Sequence, residues 1–195
     1  MNGYGIAMFV HMIGLIALFG GLVIVHHGGT RLRAASTWED ARTWLGLLRP
    51  IRGMFIAGGV FLLASGMYMA RVEWSFGTPW VVVGTIVVLL FLATGALVSG
   101  RIFARIGSAS AQAKGPISDE ARALIRSPLL WSSTFGMNGG ALGMVWLMTT
   151  KPGWTGSIGI PLAATVLGSL IGLGMTRSGR ARAVGTHAHA PAGTT

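Results

Sequence analysis

The sequence predicts an all-α, polytopic membrane bundle of five transmembrane helices, and three observations carry that reading. Hydrophobic residues make up 52% of the 195 and charged residues only 10%, against about 25% charged in an ordinary soluble domain. The chain therefore lacks the polar surface needed to face water. Apolar runs at 5–25, 51–72, 80–99, 128–149 and 158–175 are each 18 to 22 residues long, the length a helix needs to cross roughly 30 Å of hydrocarbon. The basic residues alternate in space along the chain: 13 of the 15 Lys and Arg fall in the first loop, the third loop and the segment after the last run. Only Arg71 and Lys151 fall elsewhere. The positive-inside rule then predicts N-out and C-in.

The first run lacks the basic n-region and the small-residue cleavage site of a secretory signal, so it is expected to remain as a span. Along it and just past its end Ala7, Gly14, Gly21 and Gly28 recur every seven residues, a small-residue seam along which another helix can approach closely. His11 lies in that seam and is the one ionisable residue well inside any run. It stands six residues from the outer end of its span, about 9 Å deep at 1.5 Å per residue.

In the first loop Ser36 and Glu39 have the spacing of a capping box. Trp38, Ala41, Leu45 and Leu48 then recur at helical spacing beside Arg42 and Arg49, which predicts an amphipathic helix lying on the lipid interface. In the third loop Ser118 can cap a helix with Asp119 and Glu120 in its first turn, and Pro128 closes it. Glu39-Asp40-Ala41-Arg42 and Asp119-Glu120-Ala121-Arg122 sit 80 residues apart. Gly58-Gly59 and Gly139-Gly140 follow, then Trp74 and Trp154. The spans thus read as two parallel-related hairpins plus one further helix. Tyr4, Tyr68, Trp74, Trp80, Trp146 and Trp154 fall near the predicted outer interface and Trp131 near the inner one. In domain terms, 1–176 is the bundle and 177–195, rich in Arg, Gly, Ala and Thr, a disordered cytoplasmic tail.

The net charge of +10 is explained by topology and attraction to anionic lipid, so the expected partners are the bilayer, other membrane helices or a second copy, with no nucleic acid. Absence of cysteine excludes disulfides, thiolate metal sites and cysteine nucleophiles. No Asp, Glu or Lys interrupts a span, so the carboxylate relays of proton-coupled transporters are missing.

Candidate chemistry therefore centres on His11. A neutral imidazole can ligate haem iron or copper, and a thioether is a known partner for both. Met67 and Met144 lie at nearly the same depth, each five residues from the outer end of its span. The structural alternative for His11 is an interhelical hydrogen bond, and for the methionines gap-filling in the core. Asn138, among Gly136, Gly139, Gly140 and Gly143, reads as a packing residue with an amide hydrogen bond. His26 and His27 read as solvated interfacial residues, and His187 and His189 lack a third metal ligand.

With His11 in its seam, Trp146-Leu147-Met148 before Lys151-Pro152-Gly153, and hairpins of this length, residues 5 to 155 resemble a loosely defined group. These are small bacterial integral membrane proteins related to the copper resistance protein D superfamily, which also contains the HemJ-type protoporphyrinogen oxidase. The resemblance implies a bacterial cytoplasmic (inner) membrane location and haem b as a cofactor, with His11 matching a first-span histidine. The HemJ-type branch also has an intramembrane lysine. Here Lys114 and Lys151 both lie outside the runs, so the oxidase activity is not expected to carry over. Two functions follow: a haem- or metal-binding redox protein using His11, or a non-catalytic scaffold or accessory subunit that packs on partner helices.

Overall fold

In the computed structural model, residues 2–187 are described, with side chains to Thr176. Helix α1 runs Gly3–Ala34, α2 Trp38–Leu48, α3 Ile51–Glu73 and α4 Pro79–Thr94. A π-helical turn, Gly95–Ser99, joins α4 to α5 (Gly100–Ser110); α6 (Asp119–Ile125), α7 (Pro128–Thr150) and α8 (Trp154–His187) follow. The protein is all-α. Among the described residues four helical units are long and apolar enough to cross a membrane: Gly3–Ala34, Trp38–Glu73, Pro79–Ser110 and Trp154–Thr176. The predicted fourth span, α7, is 23 residues long but less apolar, because Ser132, Ser133, Thr134 and Asn138 interrupt it. It packs against α8, α4, the π turn and α1, and a helix that faces other helices can carry more polar residues than one that faces lipid.

Two glycine-lined pairs make the bundle. On α1 the buried residues are Ala7, Gly14, Gly21, Gly28, Gly29 and Leu32, which include the whole seven-residue seam. Gly14 and Gly21 of it meet α3, where a Cβ on Gly14 would come 2.9 Å from the Gly58 carbonyl oxygen, and Gly28 meets Leu48 of α2. The second pair is α7 with α8, the most extensive helix contact among the described residues. There Gly136, Gly139 and Gly143 of α7 meet Ser169, Ala164 and Pro161, while Gly168 and Gly172 of α8 meet the backbone at Phe135 and Trp131. Helix α4 sits between the pairs, with Leu92 against Gly59 and Phe91 against Gly140. The repeat in the sequence is thus not matched in packing: α1 and α3 form a close hairpin, whereas α7 takes α8 rather than α4 as its main partner.

Three further expectations need correction. Thr37, not Ser36, caps α2, its hydroxyl accepting from the Asp40 N–H at 3.3 Å; Ser118 caps α6 as predicted, accepting from Ala121 at 3.4 Å. The helix of the third run does not stop at 99 but continues through the π turn to Ser110, so Arg101 and Arg105 stand on a helix. Nor does α2 rest its apolar face on lipid. Trp38 and Ala41 are buried with Leu32, Ile106, Ile117, Ala121 and Ile125 in a small core at the arginine-bearing end. The core forms because the first and third loops are stitched together. The Trp38 N–H donates to Gly115 at 2.9 Å and the Ile117 N–H to Ser36 at 3.1 Å. Gly115 has φ +73°, a left-handed conformation that glycine adopts without steric cost.

At the opposite end the Lys151 ammonium lies 4.2 Å from the Trp74 ring centroid and 5.6 Å from that of Trp80. The bundle therefore has an arginine end and, opposite it, an end where Lys151 sits over Trp74 and Trp80. Helical backbone in α8 extends to His187 through part of the segment expected as a disordered tail, and residues 188–195 of that tail lie outside the described residues.

Candidate functional site

His11 is held by α1 against α3. Its Nδ1 lies 3.1 Å from the Ser65 hydroxyl, and Ser65 is buried. The Ser65 hydroxyl donates its own proton back to the Phe61 carbonyl one turn earlier. With that proton so held, the Ser65 oxygen accepts from an Nδ1 that carries the imidazole proton, one of the two tautomers the 3.1 Å contact allows. In that tautomer Nε2 has a free lone pair, the state in which imidazole ligates a metal. Gly66 leaves room for the ring: a Cβ there would be 3.4 Å from His11 Cε1 and 3.6 Å from Nδ1. The Nδ1–Cε1 edge therefore faces α3 and the ring stays partly exposed.

The two methionines do not join it. Met67 is 48% exposed, two residues beyond Ser65 and so about 200° around α3 from it at 100° per residue. Met144 is tucked against α4, where a Cβ on Gly84 would be 3.3 Å from its Cε. Equal depth in the sequence thus becomes three different faces. Among the described residues no group of three or more His, Asp or Glu is placed to hold a metal ion.

Other polar residues gather toward the arginine end. His26 stacks edge-on to Phe135 with centroids 4.9 Å apart, and its Nδ1 is buried without a partner. It is not the solvated residue expected, whereas His27 is exposed beside Trp44. Trp131 is likewise buried, not lipid-anchoring: it donates to the Ile125 carbonyl at 2.9 Å and lies under the Arg33 guanidinium, 4.6 Å from its centroid. The Asn138 amide oxygen is buried and unpaired, so its expected interhelical hydrogen bond does not involve that atom. His187 and His189 fall beyond the described side chains.

Ser65 was the missed residue. The signal was present, since Ile51, Gly58 and Ser65 of α3 are all buried and seven residues apart, a seam complementary to that of α1. What no spacing on one helix reveals is which rung meets His11. Comparison with protein-family models, curated proteins and solved structures found no match.

Proposed function

We propose that this chain is a multi-pass membrane protein in which His11 is the nitrogen ligand of a haem b iron or a copper ion, as the resemblance to the copper resistance protein D superfamily implies. The observation that carries it is the hydrogen-bond relay from His11 Nδ1 through Ser65 to the Phe61 carbonyl. Metal-ligating histidines are characteristically fixed in this way, the second nitrogen donating to a neighbouring acceptor so that tautomer and ring orientation are set. The residues present fit one imidazole donor, and neither Met67 nor Met144 is placed beside it to supply an axial sulfur. A bound haem or copper would supply one-electron chemistry; His11 would hold it and Ser65 would orient His11. Placement in a bacterial cytoplasmic membrane, N-out and C-in, belongs to the same proposal, supported by the clustering of arginines at one end.

A second reading, a scaffold or accessory subunit, is favoured by the separation of Met67 and Met144 from His11. There the His11–Ser65 bond simply pins α1 to α3, a contribution of about 1 kcal/mol within a membrane.

An absorption spectrum and metal analysis of protein purified from haem- and copper-replete cells separate the two. The ligand reading expects a Soret band or stoichiometric copper, lost in His11→Ala and shifted in Ser65→Ala, with Met67→Leu and Met144→Leu silent. Protein that carries neither, and whose thermal midpoint falls by the same small amount in His11→Ala and Ser65→Ala, establishes the scaffold reading instead.

A further inference from the structure

The π turn at Gly95–Ser99 closes with the Gly100 N–H bonded to the Gly95 carbonyl, five residues back. Such a bulge inserts one residue and turns everything after it by about 100°. Glycine suits the junction, since a Cβ on Gly100 would sit 3.1 Å from the Gly95 oxygen. Beside the turn, between it and the start of α7, is an open cleft of about 170 Å³ lined by Leu97, Val98, Arg101, Ile102, Arg105 and Leu129.

The cleft has two chemically distinct halves. Leu97 and Leu129 are 54% and 59% exposed and form an apolar wall on the lipid side. Arg101 and Arg105, four residues apart and hence on one face of α5, are exposed at its polar rim. No carboxylate among the described residues pairs with either guanidinium, the one ion pair being Arg42 with Glu39. Two unpaired cations beside an exposed apolar wall, at the end of the bundle where the arginines gather, match an amphiphile with an anionic head.

We propose that this cleft is a binding site for one anionic glycerophospholipid of the leaflet bordering the arginine end. The phosphate lies between Arg101 and Arg105, where guanidinium forks meet phosphate oxygens in bidentate fashion, and an acyl chain lies along Leu97 and Leu129. This is a specific seat and not the diffuse attraction that any juxtamembrane arginine exerts, because it couples charge to a shaped apolar wall.

The test uses the full-length chain in phosphatidylcholine nanodiscs, titrated with phosphatidylglycerol and read by native mass spectrometry and thermal midpoint. Phosphatidylglycerol should bind the wild type in preference to phosphatidylcholine. Arg101→Gln/Arg105→Gln should weaken that binding by at least about thirty-fold, the loss of two charge-assisted guanidinium–phosphate contacts, and the cleft-filling Leu129→Trp should weaken it too. Arg49→Gln/Arg52→Gln removes the same charge from exposed positions at the same end; it takes away diffuse attraction alone and should weaken binding several-fold less than the cleft variant. Should the double glutamine variant fail to fold, Arg105→Gln alone and Leu129→Trp carry the same expectations. Equal loss in the two double variants, equal binding of phosphatidylcholine, or displacement of the lipid by millimolar inorganic phosphate would each overturn the proposal. The last outcome would leave a simple anion site.

Discussion

Gly14 of α1 and Gly58 of α3 face each other backbone to backbone, so that a Cβ on either would lie 2.9 to 3.1 Å from the other's carbonyl oxygen. A flexible side chain can move aside, but a carbonyl fixed in a helix cannot. Gly14→Leu should therefore force the helices apart, costing at least the 1–3 kcal/mol typical of overpacking and separating His11 from Ser65. Leu15→Ile, off the seam, should be nearly silent. Thermal unfolding in detergent checks both. A Gly14→Leu protein as stable as wild type would mean that α1 and α3 do not meet through this seam.

Arg42 joins the two loops at the arginine end. Its Nη1 donates to the carbonyls of Ser110 and Ala113, each at 2.8 Å, and its Nη2 donates to Glu39 at 3.2 Å. Arg42→Ala should cost about 1–3 kcal/mol, the range for charged hydrogen bonds left unmade, and should loosen the Trp38–Ile117 core. Glu39 adds a pH dependence. Its own backbone N–H, then that of Gly115, then Arg42 hold its carboxyl below the ordinary value of 4.5. A carboxyl lowered on folding stabilises at pH above its unfolded value and loses that contribution as pH falls through the folded one. The thermal midpoint of Glu39→Gln should thus lie below wild type at pH 7, and the gap should close in acid. A gap that persists at pH 3 would show that the charge of Glu39 is not what matters.

Orientation is tested by cysteines, since the chain has none of its own. Ser108 and Thr155 are exposed at opposite ends of the bundle. An impermeant thiol reagent applied to spheroplasts should label Thr155→Cys and spare Ser108→Cys until the membrane is opened. The reverse pattern would invert the N-out, C-in orientation.

Helix class, the approximate spans and the seam of α1 could be read from the chain alone, because each is a local property: run length, apolarity and a seven-residue recurrence of small residues. The same holds for the Ser118 cap and for the segregation of arginines to one end. The tertiary structure decided what those local properties could not. Three residues at one depth, His11, Met67 and Met144, proved to face different neighbours, because depth fixes one coordinate and helix rotation sets the other. The amphipathic face of α2 suited lipid and protein equally, and only the pairing of Ser36 and Trp38 with 115–117 buried it in a core. The π turn hides in an unbroken apolar run, since Gly95–Ser99 holds no proline that would break a helix. Ser65 became a partner for His11 through contact across 54 positions of sequence, a relationship that two helices acquire only when their glycines let them touch.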